Sequence, residues 1–572
     1  MSTIWKFADS SSSQEAGFES ASASCAAGYP YSDLMQKILA LRGFQTEEEI
    51  QKFLFPSLEG LYDPFLMKGI PQAAQRILSA IERRETILIH GDYDVDGITG
   101  TAILSRTLEK LNATFVTFLP ERKRDGYGVS AGAVRMAKEK NVSLFITVDC
   151  GITAFDETRQ ARASGMDVII IDHHRIHDGR VPEANEIINP LQEGCQYPFK
   201  ELSAGGLAFK LAQALLSRGA FEFLDLAALS AVCDLAPLGD ENRILVTHGL
   251  EQMSSRRHLG FKSLCDVAKL KRSRLLASDL GFVIGPRINA SGRLGSPDRA
   301  LRLLTTNDAD EARELAQALN EENLLRQKED RRLLTQALGV VDREINFNRD
   351  KVVVGAGEGW HEGVIGIVAQ RLVERFARPA VVISFDGELG KGSCRSVKGF
   401  HMFQSLAHCE SVLEQFGGHE LAAGLTIKRE NFNAFRVKLN EYAQSIPPEV
   451  FCRSVRIDLE ISFRDLSRQF LEEMSLLEPF GIGNPRPVFL TRGVRTRALS
   501  PGSAGKLEHV RSNALRWWVT DAGFTFEAVW QSRDPDIALP HTETYSIAYS
   551  PKLKSWEGVE SVVLDIRDVK EG

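Results

Sequence analysis

Between residues 86 and 190 short apolar runs recur, and three of them end on acidic or imidazole side chains. TILI runs into HGDYDVDG at 90–97, FITV into Asp149, and VIII into Asp172, His173 and His174. A helix-like run, LAALSAVC, ends on Asp234. Short Val/Ile/Leu runs separated by helix-compatible stretches predict a parallel sheet covered on both faces. Such sheets offer ligand sites at the carboxyl ends of their strands. Alternation places His90, Asp92, Asp94 and Asp96 on one side if the strand stays extended. Carboxylates massed there repel one another, and burying them without a counter-charge is costly. A lone strand-end Asp is an ordinary helix cap and a His pair an ordinary loop. Four mixed Asp/His groups at equivalent ends of one sheet point instead to divalent cations. The mixture suits Mn²⁺ better than Ca²⁺, which prefers oxygen alone. Two cations sharing a bridging carboxylate can clamp an in-line attack at phosphorus.

The remaining sequence bounds the setting. A chain of 572 residues exceeds one hydrophobic core, so two to four domains are expected. The eight cysteines are scattered with no CxxC pair, which reads as reduced thiols without a disulfide framework or zinc ribbon. No run of eighteen apolar residues occurs, and MSTIWKFADSSSSQEAGF lacks a basic-then-apolar leader, so a cytoplasmic protein without a membrane partner is expected. The net charge of −7 does not decide for or against nucleic acid. Locally, Arg256, Arg257, Lys262, Lys269, Lys271, Arg272 and Arg274 face a single Asp266, either as a solvated surface or as a phosphate-contacting one.

The fold class expected is α/β and multidomain. Residues 8–27 are rich in Ser, Ala and Gly, and 1–27 reads as a disordered tail. A helical segment follows at 28–80, then the parallel-sheet catalytic domain at 81–255 and a helical connector at 256–349. Within the connector, 307–345 lacks Pro and has Gly only at 339, so a continuous helix of roughly 50–60 Å is predicted. A second α/β domain is placed at 350–447. The strand-rich end, 453–572, fits a small β-barrel, with an OB-fold as the natural candidate. Two apparent nucleotide motifs fail: GAGEGW has Trp360 where a dinucleotide fingerprint needs Gly, and GELGKGS is two residues too short for a P-loop.

HGDYDVDG, VDCG, DHH and CDLAP, in this order, resemble the successive motifs of the DHH phosphoesterase family, and within it the RecJ exonuclease branch. The resemblance implies that His90, Asp94 and Asp149 hold one metal, Mn²⁺ or Mg²⁺. Asp96, Asp149, His173 and Asp234 would hold a second, with Asp149 bridging. It implies that Asp92, Asp172 and His174 orient ligands or donate protons, and that coordination lowers the pKa of the attacking water.

Further motifs extend the resemblance over 30–570. RINASGRLGSP at 287–297, read as a Gly/Ser/Asn-rich loop, offers Arg287 and Arg293 to phosphate, or is an ordinary turn. PERKRDGYG resembles a basic loop in which Arg122 meets the DNA end. FGGHELAAG matches the glycine-rich motif of the DHH-associated domain and implies that His419 faces the scissile phosphate. GKGSCRS implies capture of a 5′-phosphate by Ser393 and Arg395, with Cys394 where Ala is usual. LEPFGIGNPRPVF introduces the barrel, whose Trp517, Trp518, Phe524, Phe526 and Trp530 divide between core and base-stacking positions beside Arg511 and Arg516. The implied activity is 5′→3′ digestion of single-stranded DNA to 5′-mononucleotides in recombination and mismatch repair. A monomer acting beside a RecQ-type helicase and single-strand-binding protein is the implied setting. Two alternatives stay open: a phosphodiesterase for cyclic dinucleotides or short RNA, and a non-catalytic DNA-binding replication scaffold.

Overall fold

The structure, a computed structural model, describes residues 3–8, 31–121, 126, 128–176, 178–497, 508–511, 514–521, 523–531, 539, 542–556 and 559–572. It divides into two compact units: Glu47–Arg326 with Leu477–Pro485, and Met1–Thr46 with Gln327–Leu476 and Arg486–Gly572.

The first unit is built on five parallel strands in the order Phe115–Phe118, Thr86–His90, Val142–Val148, Asp167–Ile171, Glu186–Ile188. Their apolar runs are continuous because both faces are covered. Ile87, Ile89, Ile146 and Ile169 pack with helices Val95–Lys110, Ala204–Leu216 and Leu224–Cys233. Leu88, Phe145 and Ile170 pack the other way, against Ala133, Val134, Ala137 and Ala161. The chain begins at Thr86–His90, moves to one side, then crosses back to Val142–Val148. That reversal leaves a crevice at the carboxyl ends of these two neighbouring strands.

Residues 256–349, expected as one connector, divide between the units. Phe261, Leu264, Leu280, Ile284, Ile288 and Leu303 enter the same core as the sheet, because apolar residues at helical spacing must be covered. Beyond them Ala309–Glu344 runs as one helix of 36 residues. Residues 287–294, expected as a loop, are helical within Gly285–Leu294, which continues a π-helical turn at Leu280–Ile284. Local Gly/Ser/Asn composition gave way to burial of Ile288 and Ala290.

In the second unit a mixed sheet runs Gln415–Gly418, Ala422–Lys428, Leu389–Arg395, Ala380–Asp386, Val353–Glu358, with only the last pair parallel. GELGKGS forms a hairpin turn and strand here, consistent with its failure as a P-loop. Toward the C-terminus, Phe489–Thr496, Tyr545–Trp556, Val559–Glu571, Phe524–Gln531 and Ala514–Asp521 pair in sequence, and the last pairs back to the first. Five strands thus close into a barrel, the expected OB-type topology. The tail expectation needs correction at Ile4–Phe7, which pairs in parallel with Ser454–Ile457, while Trp5 Nε1 donates to Asp568 Oδ2 at 2.7 Å. Four strand-forming residues were diluted by the Ser/Ala-rich stretch that follows them.

His258 caps helix Leu259–Val267: its Nδ1 accepts from Phe261 N–H at 3.4 Å and its Nε2–H donates to Leu304 O at 3.1 Å. The first bond needs the neutral ring, because a protonated Nδ1 cannot accept. Burial, with Arg106 nearby, lowers its pKa to about 4. Below the ordinary value near 6.5 the unfolded chain takes up a proton that the folded chain refuses, so stability falls with falling pH. The cost between pH 7 and 5 is about 2 kcal/mol. In His258→Asn that pH-dependent component is expected to vanish. Melting curves at both pH values measure it, and an undiminished acid shift in the variant would contradict the assignment.

Candidate metal centre

Thr86–His90 delivers buried His90 at its end, where the ring lies 5.2 Å from Phe118 and 5.9 Å from Phe145 between centroids. His90 Nδ1 is 3.6 Å from the buried Cys150 Sγ. The next turn starts helix Val95–Lys110, and Asp94 caps it, Oδ1 accepting from Asp96 N–H at 2.9 Å and Gly97 N–H at 3.2 Å. This explains the spacing of the first motif: one Asp closes the helix while its neighbours project beside the strand end.

Asp96 is gripped from outside its own element. Its Oδ2 accepts from Ala204 N–H and its Oδ1 from Gly205 N–H, each at 2.8 Å, and the Ser230 hydroxyl also donates to Oδ1. The first two donors form the amino end of helix Ala204–Leu216, where a carboxylate is favoured. Asp149 follows Val142–Val148 with a left-handed φ of 64°, its N–H donating to Ile171 O at 2.9 Å. A non-glycine residue in that region marks a backbone held there by its surroundings. Asp172 follows Asp167–Ile171; its Oδ2 accepts from Ile152 N–H at 2.9 Å and its Oδ1 from His174 N–H at 3.0 Å. His174 Nδ1 bonds the same Oδ1 at 2.7 Å.

The donors converge in three overlapping groups, Asp92/Asp94/Asp149, Asp96/His173/Asp234 and Asp149/His173/His174, with the ligand atoms of each within 4.8 Å of one another. His173 links them: Nε2 is 3.3 Å from Asp149 Oδ1 and 3.7 Å from Asp96 Oδ2, and Nδ1 is 3.8 Å from Asp234 Oδ2. In the first group Asp92 stands where the resemblance implied His90.

Burial and the surrounding Asp96, Asp94, Asp92 and Asp172 push the Asp149 carboxyl well above its ordinary range. Burial and Asp96 also raise Asp94, and burial with Asp96 and Asp94 lifts Asp234 to about 8. Burial holds His173 low, toward the neutral ring that ligates metals. Asp172 lies low despite burial because His174 and two backbone N–H groups bond it. His174 is raised to about 9, its burial outweighed by Asp172 and the remaining acids. Carboxyls driven up by burial and by mutual repulsion, interleaved with imidazole at ligand spacing, form a donor set that divalent cations would stabilise. The residues therefore fit the implied pair of ions.

Residues 86–233 match the DHH family, N-terminal domain, 349–445 the DHHA1 domain, and 457–568 the RecJ OB domain. The single-stranded-DNA-specific exonuclease RecJ of Escherichia coli is 33% identical over 80% of this chain and 82% of its own length. The chain belongs to the RecJ family. The RecJ of Bacillus subtilis is 43% identical over 79% of this chain, which spans 58% of that relative's length. The crystal structure of Thermus thermophilus RecJ in complex with Mn²⁺ matches with a TM-score of 0.83 at 30% identity, covering all of this chain and 80% of that one. A RecJ structure in complex with Mg²⁺ from the same organism matches with a TM-score of 0.77 at 28% identity, covering all of this chain and 79% of that one.

The other expected residues stand on separate elements. Arg287 is half-buried, its Nε donating to Asn320 Oδ1 at 3.1 Å and its Nη1 to Val283 O at 2.7 Å, so its hydrogen bonds tie helices together. Arg293 lies on the same helix. Arg122 lies outside the described residues. Ser393 and Arg395 share a face of Leu389–Arg395, with Arg395 Nη1 3.3 Å from Ser393 Oγ. His419 is exposed in the turn between Gln415–Gly418 and Ala422–Lys428. In the barrel Trp517 is fully buried and bonds Tyr545 OH at 3.0 Å, Phe526 packs edge-on against Phe463, and Phe524 is exposed. Trp518 and Trp530 are half-buried; of Arg511, only the backbone is described.

Sequence reasoning missed the supports. Ser230 and the amides of 204 and 205 hold Asp96; Ser203 caps the helix that supplies these amides, and nothing in the sequence around it points to Asp96. Asn289 Oδ1 accepts from Val95 N–H at 3.2 Å, and a Cβ on Gly292 would lie 2.4 Å from Tyr93 O. The 287–297 motif thus braces the first acidic turn. Asn289→Ala is expected to cost about 1–2 kcal/mol by leaving that N–H without its acceptor and to weaken Mn²⁺ binding about tenfold. Calorimetric titration measures the second effect, and unchanged affinity would reduce Asn289 to a purely structural residue.

Proposed function

We propose that the chain is a divalent-metal-dependent exonuclease that degrades single-stranded DNA 5′→3′ to 5′-mononucleotides. The observation that carries this reading is the convergence of Asp92, Asp94, Asp96, Asp149, His173, His174 and Asp234 in three overlapping ligand groups. RecJ family membership supplies the substrate class, and the barrel favours a long strand over a dinucleotide. Asp and His groups standing at ligand spacing disfavour the non-catalytic scaffold. Recombination and repair are the proposed setting, in the cytoplasm, with a helicase and single-strand-binding protein as partners of a monomeric enzyme.

His90, Asp94 and Asp149 would hold one cation, with Asp92 close enough to share it; Asp96, Asp149, His173 and Asp234 would hold the other. When bound, these ions neutralise charge on the phosphate and lower the pKa of the attacking water. The chain's own groups do the remaining work. Asp172 fixes His174 through Nδ1, leaving Nε2–H of a charged ring to donate to the departing O3′ oxygen. Water adds at phosphorus, the P–O3′ bond breaks, and the terminal nucleotide leaves with its 5′-phosphate. Ser393 and Arg395 would bind that 5′-phosphate, and His419 the scissile one. On the barrel, Trp518, Arg516, Thr520 and Arg495 share one face by register with Glu527, which pairs with Arg516 at 3.0 Å, leaving Trp518 to stack a base and Arg495 to pair a phosphate.

Digestion of 5′- and 3′-labelled single strands, with and without Mn²⁺, tests the direction; early release of the 3′ label would overturn it. Asp149→Ala is expected to lose at least a thousandfold in rate while retaining DNA binding, and wild-type turnover would remove its bridging role. Arg395→Ala is expected to slow digestion of 5′-phosphorylated ends selectively, whereas equal slowing on 5′-hydroxyl ends would count against end capture.

Trp518→Ala is expected to weaken binding of a long single strand by about 1–3 kcal/mol without unfolding the barrel. Trp517→Ala should instead lose about 3–5 kcal/mol of stability. Fluorescence anisotropy and melting separate the two, and equal binding by Trp518→Ala would assign stacking to another surface.

A further inference from the structure

The loop that carries Asp234 is clamped by a turn some 240 residues downstream. Asp234 ends helix Leu224–Cys233, and Leu235 takes a left-handed φ of 62°, swinging the chain away from the helix. Three bonds then fix the departing loop: Ala236 N–H to Ala231 O at 2.9 Å, Leu238 N–H to Ile482 O at 2.7 Å, and Asn242 Nδ2 to Pro237 O at 3.1 Å. The second bond comes from residues 477–485, which belong to the same compact unit as the parallel sheet.

That turn is itself tightly built. Buried Asn484 donates through Nδ2 to Leu477 O at 2.7 Å and Pro479 O at 2.8 Å, and Gly481 and Asn484 exchange backbone bonds at 3.0 and 3.2 Å. Arg243, 1% exposed, reaches Leu477 O at 3.1 Å, Glu478 O at 2.7 Å and Phe53 O at 2.5 Å. Its guanidinium lies 3.9 Å from the Phe53 ring centroid. Gly483 has φ 74°, and a Cβ there would come 3.1 Å from Pro237 Cβ, so its backbone presses directly on the metal-ligand loop.

We infer that the 477–485 turn, with Gly483 and Asn484 as positioning residues, sets the placement of Asp234 and so the affinity of the Asp96/His173/Asp234 cation site. The inference rests on the metal-centre reading above. The same helix carries Ser230, which holds Asp96, so both acids of this site depend on how its end is seated. The Asp92/Asp94/Asp149 group is supported by its own helix cap and by Asn289, and is independent of the turn.

The test is Mn²⁺ titration of the full chain, wild type against Gly483→Ala and Asn484→Ala, followed by the resonance of free Mn²⁺ and by calorimetry. The expected result is two binding events in the wild type, with one weakened about tenfold in each variant and the other unchanged. Excess Mn²⁺ should restore digestion of single-stranded DNA. His258→Asn serves as a control: altered stability without altered Mn²⁺ affinity separates seating of the ligand from loss of fold. If Gly483→Ala does not fold, Asn484→Ala, which adds no side-chain bulk, carries the test. Wild-type Mn²⁺ affinities in the folded variants, or equal weakening of both events, would overturn the inference. A wild-type chain that binds no Mn²⁺ would overturn the metal-centre reading together with it.

Discussion

Repulsion among buried carboxylates is the constraint around which the parallel-sheet unit is organised. Two unit charges 4 Å apart interact at about 4 kcal/mol at the effective dielectric typical of protein sites, and six aspartates, Asp92, Asp94, Asp96, Asp149, Asp172 and Asp234, crowd the carboxyl ends of its elements. The chain offsets this unevenly. Asp96 receives a helix amino end and a hydroxyl, and Asp172 receives two backbone N–H groups and an imidazole. Asp94, Asp149 and Asp234 are left raised, each by burial and by its acidic neighbours. Fixed donors set the orientation of Asp94, Asp96 and Asp172. Ions entering such a site displace protons, so occupancy and pH are coupled through the three raised groups.

The topology explains why the acids gather where they do. The strand order reverses around Thr86–His90 and Val142–Val148, so the connections leaving their carboxyl ends part in opposite directions. A crevice opens between them without the removal of any core residue. Asp149 uses that opening through its left-handed backbone, which turns the chain sharply off its strand. The apolar strands supply the rigid floor, and His90 at one strand end and the residues that follow the others supply the candidate ligands.

Much of this was legible in the sequence because it is local. Apolar runs ending on Asp or His announce strand ends, and the uninterrupted 307–345 segment announces a helix close to its observed bounds. The barrel strands were readable from alternation. What escaped was every support that depends on sequence-distant packing. Composition made 287–297 look like a phosphate loop, but burial of Ile288 and Ala290 makes it a helix, and Asn289 then turns toward the first acidic motif. Arg287, read as an anion contact, donates to Asn320 and Val283 through Nε and Nη1, bonds to sequence-distant and local partners that its motif did not announce. Ile4–Phe7 was too short to stand out beside a low-complexity stretch, since a strand of four residues is defined by its partner. A hydrogen bond between residues 238 and 482 has no signature in either segment alone.

These misses share a physical cause that bears on how the site is held. The ligands stand at element ends, where backbone groups lack regular partners and small shifts are cheap. Precision there must be imported. It arrives as amides from 204 and 205, a hydroxyl from 230, an amide oxygen from 289 and a carbonyl from 482. Each comes from a segment later in the chain than the ligand turn or helix it steadies. The acidic motifs alone therefore specify which atoms can meet cations. The later segments specify how well those atoms are aimed, so a chain keeping every Asp and His but losing these braces would retain the ligands and lose the geometry.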